Sequence, residues 1–95
     1  MEYEIIHRPS IGKFLVRLEP GKYAFLSYRV ESGRLYIDSA YTPEEYRGRG
    51  IATRLMLAAI EYARGKRLKI VPICSFAVRF FDKHPEYGDM LARED

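Results

Sequence analysis

Cysteine is almost missing from this 95-residue chain, which holds one, Cys74. A single thiol excludes an internal disulfide framework and a multi-cysteine zinc site, and makes a reducing, cytoplasmic compartment the expectation. No apolar run approaches the roughly 20 residues that a membrane-spanning helix needs. Met1-Glu2-Tyr3-Glu4 does not read as a signal peptide. Histidine is scarce too, with His7 and His84 alone. Internal repeats, low-complexity tracts and linkers are absent, which leaves one domain over residues 1–95. What is present is a hydrophobic fraction of 47% and an aromatic fraction of 14%, too much for a disordered or fibrous chain.

The formal net charge of +3 hides an asymmetry. Between Tyr46 and Ile70 stand seven basic residues (Arg47, Arg49, Arg54, Arg64, Lys66, Arg67, Lys69) against one acid, Glu61, a local net of +6. The rest carries nine basic and twelve acidic residues, a net of −3. A bound anion explains such a segment, and so does a solvated basic face.

The first forty residues read as β-structure. Tyr3 to His7 is a short β-prone run stopped by Pro9-Ser10-Ile11-Gly12. Lys13 to Glu19 alternates Phe14, Val16 and Leu18 against Lys13, Arg17 and Glu19. Pro20-Gly21 turns the chain, and Tyr23 to Val30 alternates again, with Ala24, Leu26, Tyr28 and Val30 on one face. After Glu31-Ser32-Gly33, Arg34 to Tyr41 completes a four-stranded antiparallel meander. Ile51 to Arg64 is the strongest helix, with Ile51, Leu55, Met56, Ala59, Ile60 and Ala63 spaced by threes and fours and Gly65 expected at C′. Arg67 to Pro72 forms a fifth strand, parallel to the fourth because a helix separates them. Ser75 is the expected cap of a second helix holding Phe76, Val78, Phe80 and Phe81 and ending near His84-Pro85. Gly88 to Asp95 reads as a loosely held tail.

Chemistry concentrates in Arg47-Gly48-Arg49-Gly50-Ile51-Ala52-Thr53, between a strand and a helix start. Small residues at 50 and 52 let the backbone approach a ligand, and the first N–H groups of the helix lack intrahelical partners. The helix dipole and Arg47, Arg49 and Arg54 add positive potential, which is what a phosphate group requires. No Gly-Lys-Ser/Thr follows, so this is not a Walker A loop. The third glycine of a dinucleotide fingerprint is also missing. An Arg-Gly turn that simply starts a helix stays open as the plain reading.

Arg47-x-x-Gly50-x-Ala52 resembles the Arg/Gln-x-x-Gly-x-Gly/Ala motif of the GNAT acyltransferase superfamily, and the order of elements is similar to the GNAT order. Tyr46 to Ala52, Val71-Pro72-Ile73-Cys74-Ser75-Phe76 and His84-Pro85-Glu86-Tyr87 together resemble the small, single-domain GNAT-like proteins of the YjdJ type, over most of the chain. The resemblance implies an α+β (α/β) truncated GNAT fold: a four-stranded meander, a βαβ unit with a fifth parallel strand, and a C-terminal helix. The strands that complete the acceptor pocket in larger relatives are expected to be missing. It also implies acetyl-CoA as co-substrate and an unidentified amine as acceptor, with no metal. Amides of Gly48, Arg49, Gly50, Ile51, Ala52 and Thr53, with Arg47, would hold the pyrophosphate. The backbone at Tyr41 and Thr42 would pair with the pantetheine arm, and the acetyl group would sit where strands four and five splay.

Cys74 falls at that splay. As a catalytic residue its thiol would accept the acetyl group and pass it on, favoured by the following helix start and the basic surroundings. The other reading is a small, inert residue at a strand end. Close relatives often carry a histidine on strand four before the Pro-containing loop. Aligned on Thr42-Pro43, this chain has Ser39 there, which removes a Cys–His pair. His84 is placed to stabilise a helix C-terminus and His7 to lie at the surface. Glu44 and Glu45 read as solvated, with Glu45 able to orient Arg47. Tyr87 is either an acid near the thioester or an aromatic anchor.

Two other functions compete with an N-acetyltransferase. One is a non-catalytic acyl-CoA-binding module. The other is a nucleic-acid-binding protein using the +6 segment. No RNP-like or helix-turn-helix signature accompanies that segment, and Arg64 to Lys69 cluster at a helix end where cations are favourable anyway.

Overall fold

Alternating apolar residues and tight turns lay down four strands in succession: β1 (Ile5–Arg8), β2 (Lys13–Glu19), β3 (Lys22–Glu31) and β4 (Arg34–Tyr41). Each pairs antiparallel with the next, in the computed structural model that describes residues 3–93. Helix α1 (Ile51–Gly65) then carries the chain to β5 (Lys69–Pro72), which lies parallel to β4 at the edge of a sheet ordered β1-β2-β3-β4-β5. Helix α2 (Ser75–Lys83) follows. The expected meander and parallel fifth strand are both present.

All buried sheet residues share one face: Phe14, Val16, Ala24, Leu26, Tyr28, Leu35, Ile37 and Ile70. The apolar stripe of α1 and Ala77, Phe80 and Phe81 of α2 join them in one core. Both helices therefore cover the same side of the sheet. The opposite face of β1 to β4 has no buried residue.

Gly12 fixes the entry to β2. Its carbonyl accepts the Tyr28 N–H at 2.8 Å, and a Cβ at this position would stand 2.3 Å from the Tyr28 carbonyl oxygen. Its φ of 64° adds a second reason for glycine.

Several boundaries differ from expectation. The segment after α2 is not loose: Pro85–Met90 is a 3-10 helix, Met90 is buried, and Leu91 forms a parallel bridge with Ile70. The apolar side chain of Met90 ties it to the core. Ser75 does not cap α2, because Cys74 takes the N-cap position through its extended backbone, with no side-chain cap bond. Gly65 remains helical, and the left-handed residue of the following turn is Arg67, at φ 59°. β5 begins at Lys69, two residues later than Arg67. His7, expected at the surface, is half-buried.

Candidate functional site

The β3–β4 ladder is regular until Ser27 faces Ser39. Tyr28 then faces Ile37, so Asp38 is an extra residue that kinks β4. The kink falls where β4 parts from β5. The parallel pairing ends at Ile37 and Pro72, and the Ile37 carbonyl accepts both the Ile73 N–H (3.0 Å) and the Cys74 N–H (3.2 Å). Beyond this fork β4 continues through Asp38 to Tyr41 with no β5 residue beside it. A peptide-like ligand arm finds unpaired backbone there.

The free end of β4 leads directly into the loop. Pro43 is buried, and Glu44–Tyr46 forms one 3-10 turn. That turn is clamped to the β2–β3 turn from two sides. The Tyr46 hydroxyl donates to Glu19 Oε2 at 2.6 Å, and the Lys22 ammonium contacts the Glu45 carboxylate. The clamp shifts the groups it joins. Hydrogen bonding to Glu45 raises the Lys22 pKa, the same bond lowers that of Glu45, and the bond to Glu19 raises that of Tyr46. Glu45 is therefore engaged with Lys22 and does not orient Arg47. Arg47 instead donates from Nε to the Thr42 carbonyl at 3.1 Å, and the Arg49 guanidinium lies over the Tyr46 ring, 5.0 Å from its centroid.

Gly50 sits at the N-cap of α1 with φ 77°, where no side chain caps the helix. The first helical bond is Arg54 N–H to the Gly50 carbonyl, 3.1 Å, and among the described residues the N–H groups of Ile51, Ala52 and Thr53 have no partner. A cavity of about 250 Å³ opens over them, lined by Thr42, Tyr46, Arg47, Gly48, Gly50 and the first turn of α1. A Cβ on Gly48 or Gly50 would meet nothing within 4 Å, so the space above the loop is open and the glycines answer to backbone conformation. Of the residues proposed from the sequence, Thr42, Arg47, Gly48, Gly50, Ile51, Ala52 and Thr53 line this one cavity, Arg49 lies over Tyr46 beside it, and Tyr41 lines a separate hollow with Tyr23, Phe25 and Pro43.

Cys74 is half-buried at the fork, its carbonyl accepting the Val78 N–H. Neither histidine is near it. His84 caps the other end of α2, about 15 Å away at 1.5 Å per residue. His7 belongs to β1 across the sheet, stacked on Phe14 with its Nε2 2.5 Å from the Tyr28 hydroxyl. Ser39 pairs with Ser27 through their hydroxyls. Tyr87 stacks on Phe80, with 5.9 Å between ring centroids, as an aromatic anchor for the C-terminal 3-10 helix. Among the described residues no three His, Cys, Asp or Glu side chains converge as a metal site, and no helix is long and apolar enough to cross a membrane.

Residues 13–90 match the GCN5-related N-acetyl-transferase family. The chain belongs to that family. The solution structure of a GCN5-like candidate N-acetyltransferase from Staphylococcus aureus superposes with a TM-score of 0.76 at 31% sequence identity, covering 97% of this chain and 90% of that one. The GNAT fold expected from the loop motif is therefore established. In this GNAT-family protein the kinked β4, the fork at β5 and the uncapped α1 form one continuous surface. The Lys22–Glu45 and Tyr46–Glu19 clamp was not foreseen, because its partners lie 23 and 27 residues apart in sequence.

Proposed function

We propose that Arg47 to Thr53 hold the pyrophosphate of acetyl-CoA, that β4 at Tyr41 and Thr42 carries its pantetheine arm, and that the protein transfers the acetyl group to a primary amine. The observation that carries this reading is the N-terminus of α1, uncapped beneath an open cavity and following the end of β4 that pairs with β3 but not with β5. Three unpartnered N–H groups, the helix dipole and the arginines Arg47 and Arg49 give a site for a doubly charged pyrophosphate.

Bound acetyl-CoA supplies an acetyl carbon activated as a thioester. The chain's part is to align that carbon at the β4–β5 fork, to polarise its carbonyl with a backbone N–H, and to leave room for the amine. The amine nitrogen forms the new C–N bond as the C–S bond breaks, and the proton it sheds is taken through solvent to the departing CoA sulfur. Positioning of this kind works without a dedicated base. Cys74 stands at the same fork, and relay through its thiol is the other route. The absence of an imidazole beside it favours direct attack.

Calorimetric titration with acetyl-CoA, followed by CoA release in the presence of an amine, tests the reading. Saturable binding is expected in the native chain, and Gly50→Glu, which puts a carboxylate and a Cβ where the pyrophosphate lies, abolishes it. Cys74→Ala is expected to keep turnover, and an acetyl adduct in the intact mass that vanishes in this variant would instead establish the relay. No binding at millimolar acetyl-CoA overturns the proposal, and binding without CoA release assigns the chain to non-catalytic acyl-CoA binding.

A further inference from the structure

The sheet face turned away from the helices is uncovered, and its side chains are unusual for a face in water. Along β1, β2 and β3 it presents Ile6, Leu15, Tyr23 and Phe25, interleaved with Arg8, Lys13 and Arg17. Tyr23 is 43% exposed, and Tyr41 of β4 is 48% exposed. Two hollows cross this face. One, of about 470 Å³, is bounded by Ile6, Arg8, Leu15, Arg17 and Tyr23; the other, of about 350 Å³, runs from Tyr23 past Phe25 to Tyr41 and Pro43. They adjoin at Tyr23, which lines both, and together they reach across the strands from β1 to the free end of β4.

Over β1 to β3 the groove is basic, and at its β4 end it is lined by Lys22 and Glu45, which are paired with each other. None of Arg8, Lys13 and Arg17 has an ion-pair partner among the described residues, and the outward positions of β1, β2 up to Arg17 and β3 up to Ser27 hold no acid. Lys13 rests its ammonium 4.5 Å from the Phe25 ring centroid, held by π-electrons rather than a carboxylate. Two copies of this face would repel one another, so the occupant is an anion with apolar character. Three inter-strand spacings separate β1 from β4, about 14 Å. Four extended residues of a peptide span that distance.

We propose that this groove binds an acidic polypeptide segment and leads the acceptor amine, a lysine side chain or an N-terminal amino group, past the β4 end toward the β4–β5 fork. The inference rests on the acetyl-transfer reading above. Acidic residues within about four positions of the amine lie against Arg17 and Arg8, while aliphatic side chains settle on Leu15 and Tyr23. A peptide is favoured over single-stranded nucleic acid by the chemistry at the groove's end. The exocyclic amines of bases have lone pairs delocalised into the ring, whereas an aliphatic amine is a competent nucleophile.

Fluorescence anisotropy of the full chain without acetyl-CoA, using peptides with one lysine and three flanking Glu, Gln or Lys residues, reads docking directly. The Glu peptide is expected to bind about tenfold tighter than the Lys peptide, since three exposed ion pairs contribute together on that scale. The double variant Arg8→Glu/Arg17→Glu reverses that order. Both positions are exposed, and an unchanged Tm confirms folding. With acetyl-CoA added, kcat/KM for CoA release follows the same ranking. Equal binding of the three peptides, or an order untouched by the double variant, overturns the proposal. So does tighter binding of oligo-dT or of anionic vesicles that the double variant abolishes. Peptide selectivity without any acetyl-CoA binding refutes acetyl transfer and leaves the docking surface standing, whereas turnover of a small amine with no peptide preference refutes the docking surface alone.

Discussion

His7 is held by rings on two sides. It lies parallel to Phe14 at 4.1 Å and edge-on to Tyr62 at 4.6 Å, with Tyr28 at its Nε2. Burial lowers its pKa below the ordinary 6.5, while burial and the neighbouring Tyr62 push the Tyr28 phenol up to about 12, so Tyr28 stays neutral. Because the folded imidazole takes its proton less readily than the unfolded one, the unfolded chain binds more protons just below pH 6.5. Stability therefore rises with pH through that window and is lost as pH falls through it. The expected outcome is a Tm that declines from pH 7 toward pH 5.5, with a flatter profile in His7→Phe, which keeps the stack and removes the titration. The lowered carboxyls of Glu45 and Glu86 act only below their ordinary 4.5 and do not confuse the comparison. Gly12 makes a second residue-scale test. Gly12→Ala must resolve a Cβ 2.3 Å from the Tyr28 carbonyl oxygen at positive φ, and a loss of about 2–4 kcal/mol in urea unfolding is expected.

Periodicity carried most of the elements. The positions of α1 singled out by spacing, Ile51, Leu55, Met56, Ala59, Ile60 and Ala63, are all buried, since a 3.6-residue repeat against a sheet leaves one stripe dry. The candidate loop from Arg47 to Thr53 reads as one unit for a local reason: glycine, arginine and a helix start are adjacent in sequence and remain adjacent in space. Features that depend on distant partners were not. The Asp38 bulge is invisible in an alternating run, because an extra residue is defined only by the strand opposite. Alternation also could not say that one sheet face is bare, since Leu15 and Phe25 are as apolar as core residues. The C-terminal segment reads as loose in the sequence because Gly88 and the charges around it mask Met90, whose burial ties the last 3-10 helix down. Met90→Ala should cost about 2–3 kcal/mol if that helix is part of the cooperative unit, read as a fall in the unfolding midpoint. A neutral result would mean that residues after α2 detach without consequence.

At the scale of the whole molecule, two positive regions flank the end of β4, separated by the Lys22–Glu45 and Tyr46–Glu19 clamp. The loop at α1 supplies fixed backbone charge, and the outward face of β1 to β3 supplies mobile side-chain charge. Salt distinguishes them. Exposed Arg and Lys lose their attraction within a Debye length of about 10 Å at 0.1 M, whereas N–H groups pointing into a cavity act at contact and are screened less. Under the proposed function, acetyl-CoA occupying the loop would bind the native state alone and stabilise it by mass action, about 2.7 kcal/mol at a concentration one hundred times Kd. For a chain of this size that corresponds to a rise in Tm on the order of 10 °C. The shift should survive in Arg8→Glu/Arg17→Glu and vanish in Gly50→Glu. Raising salt from 0.05 to about 0.5 M should weaken acidic-peptide binding far more than it reduces the acetyl-CoA shift. If both fall in parallel, acetyl-CoA is held by arginine side chains and not by the helix N-terminus. Differential scanning fluorimetry across a salt series, run on the three proteins together, decides between these two origins of affinity.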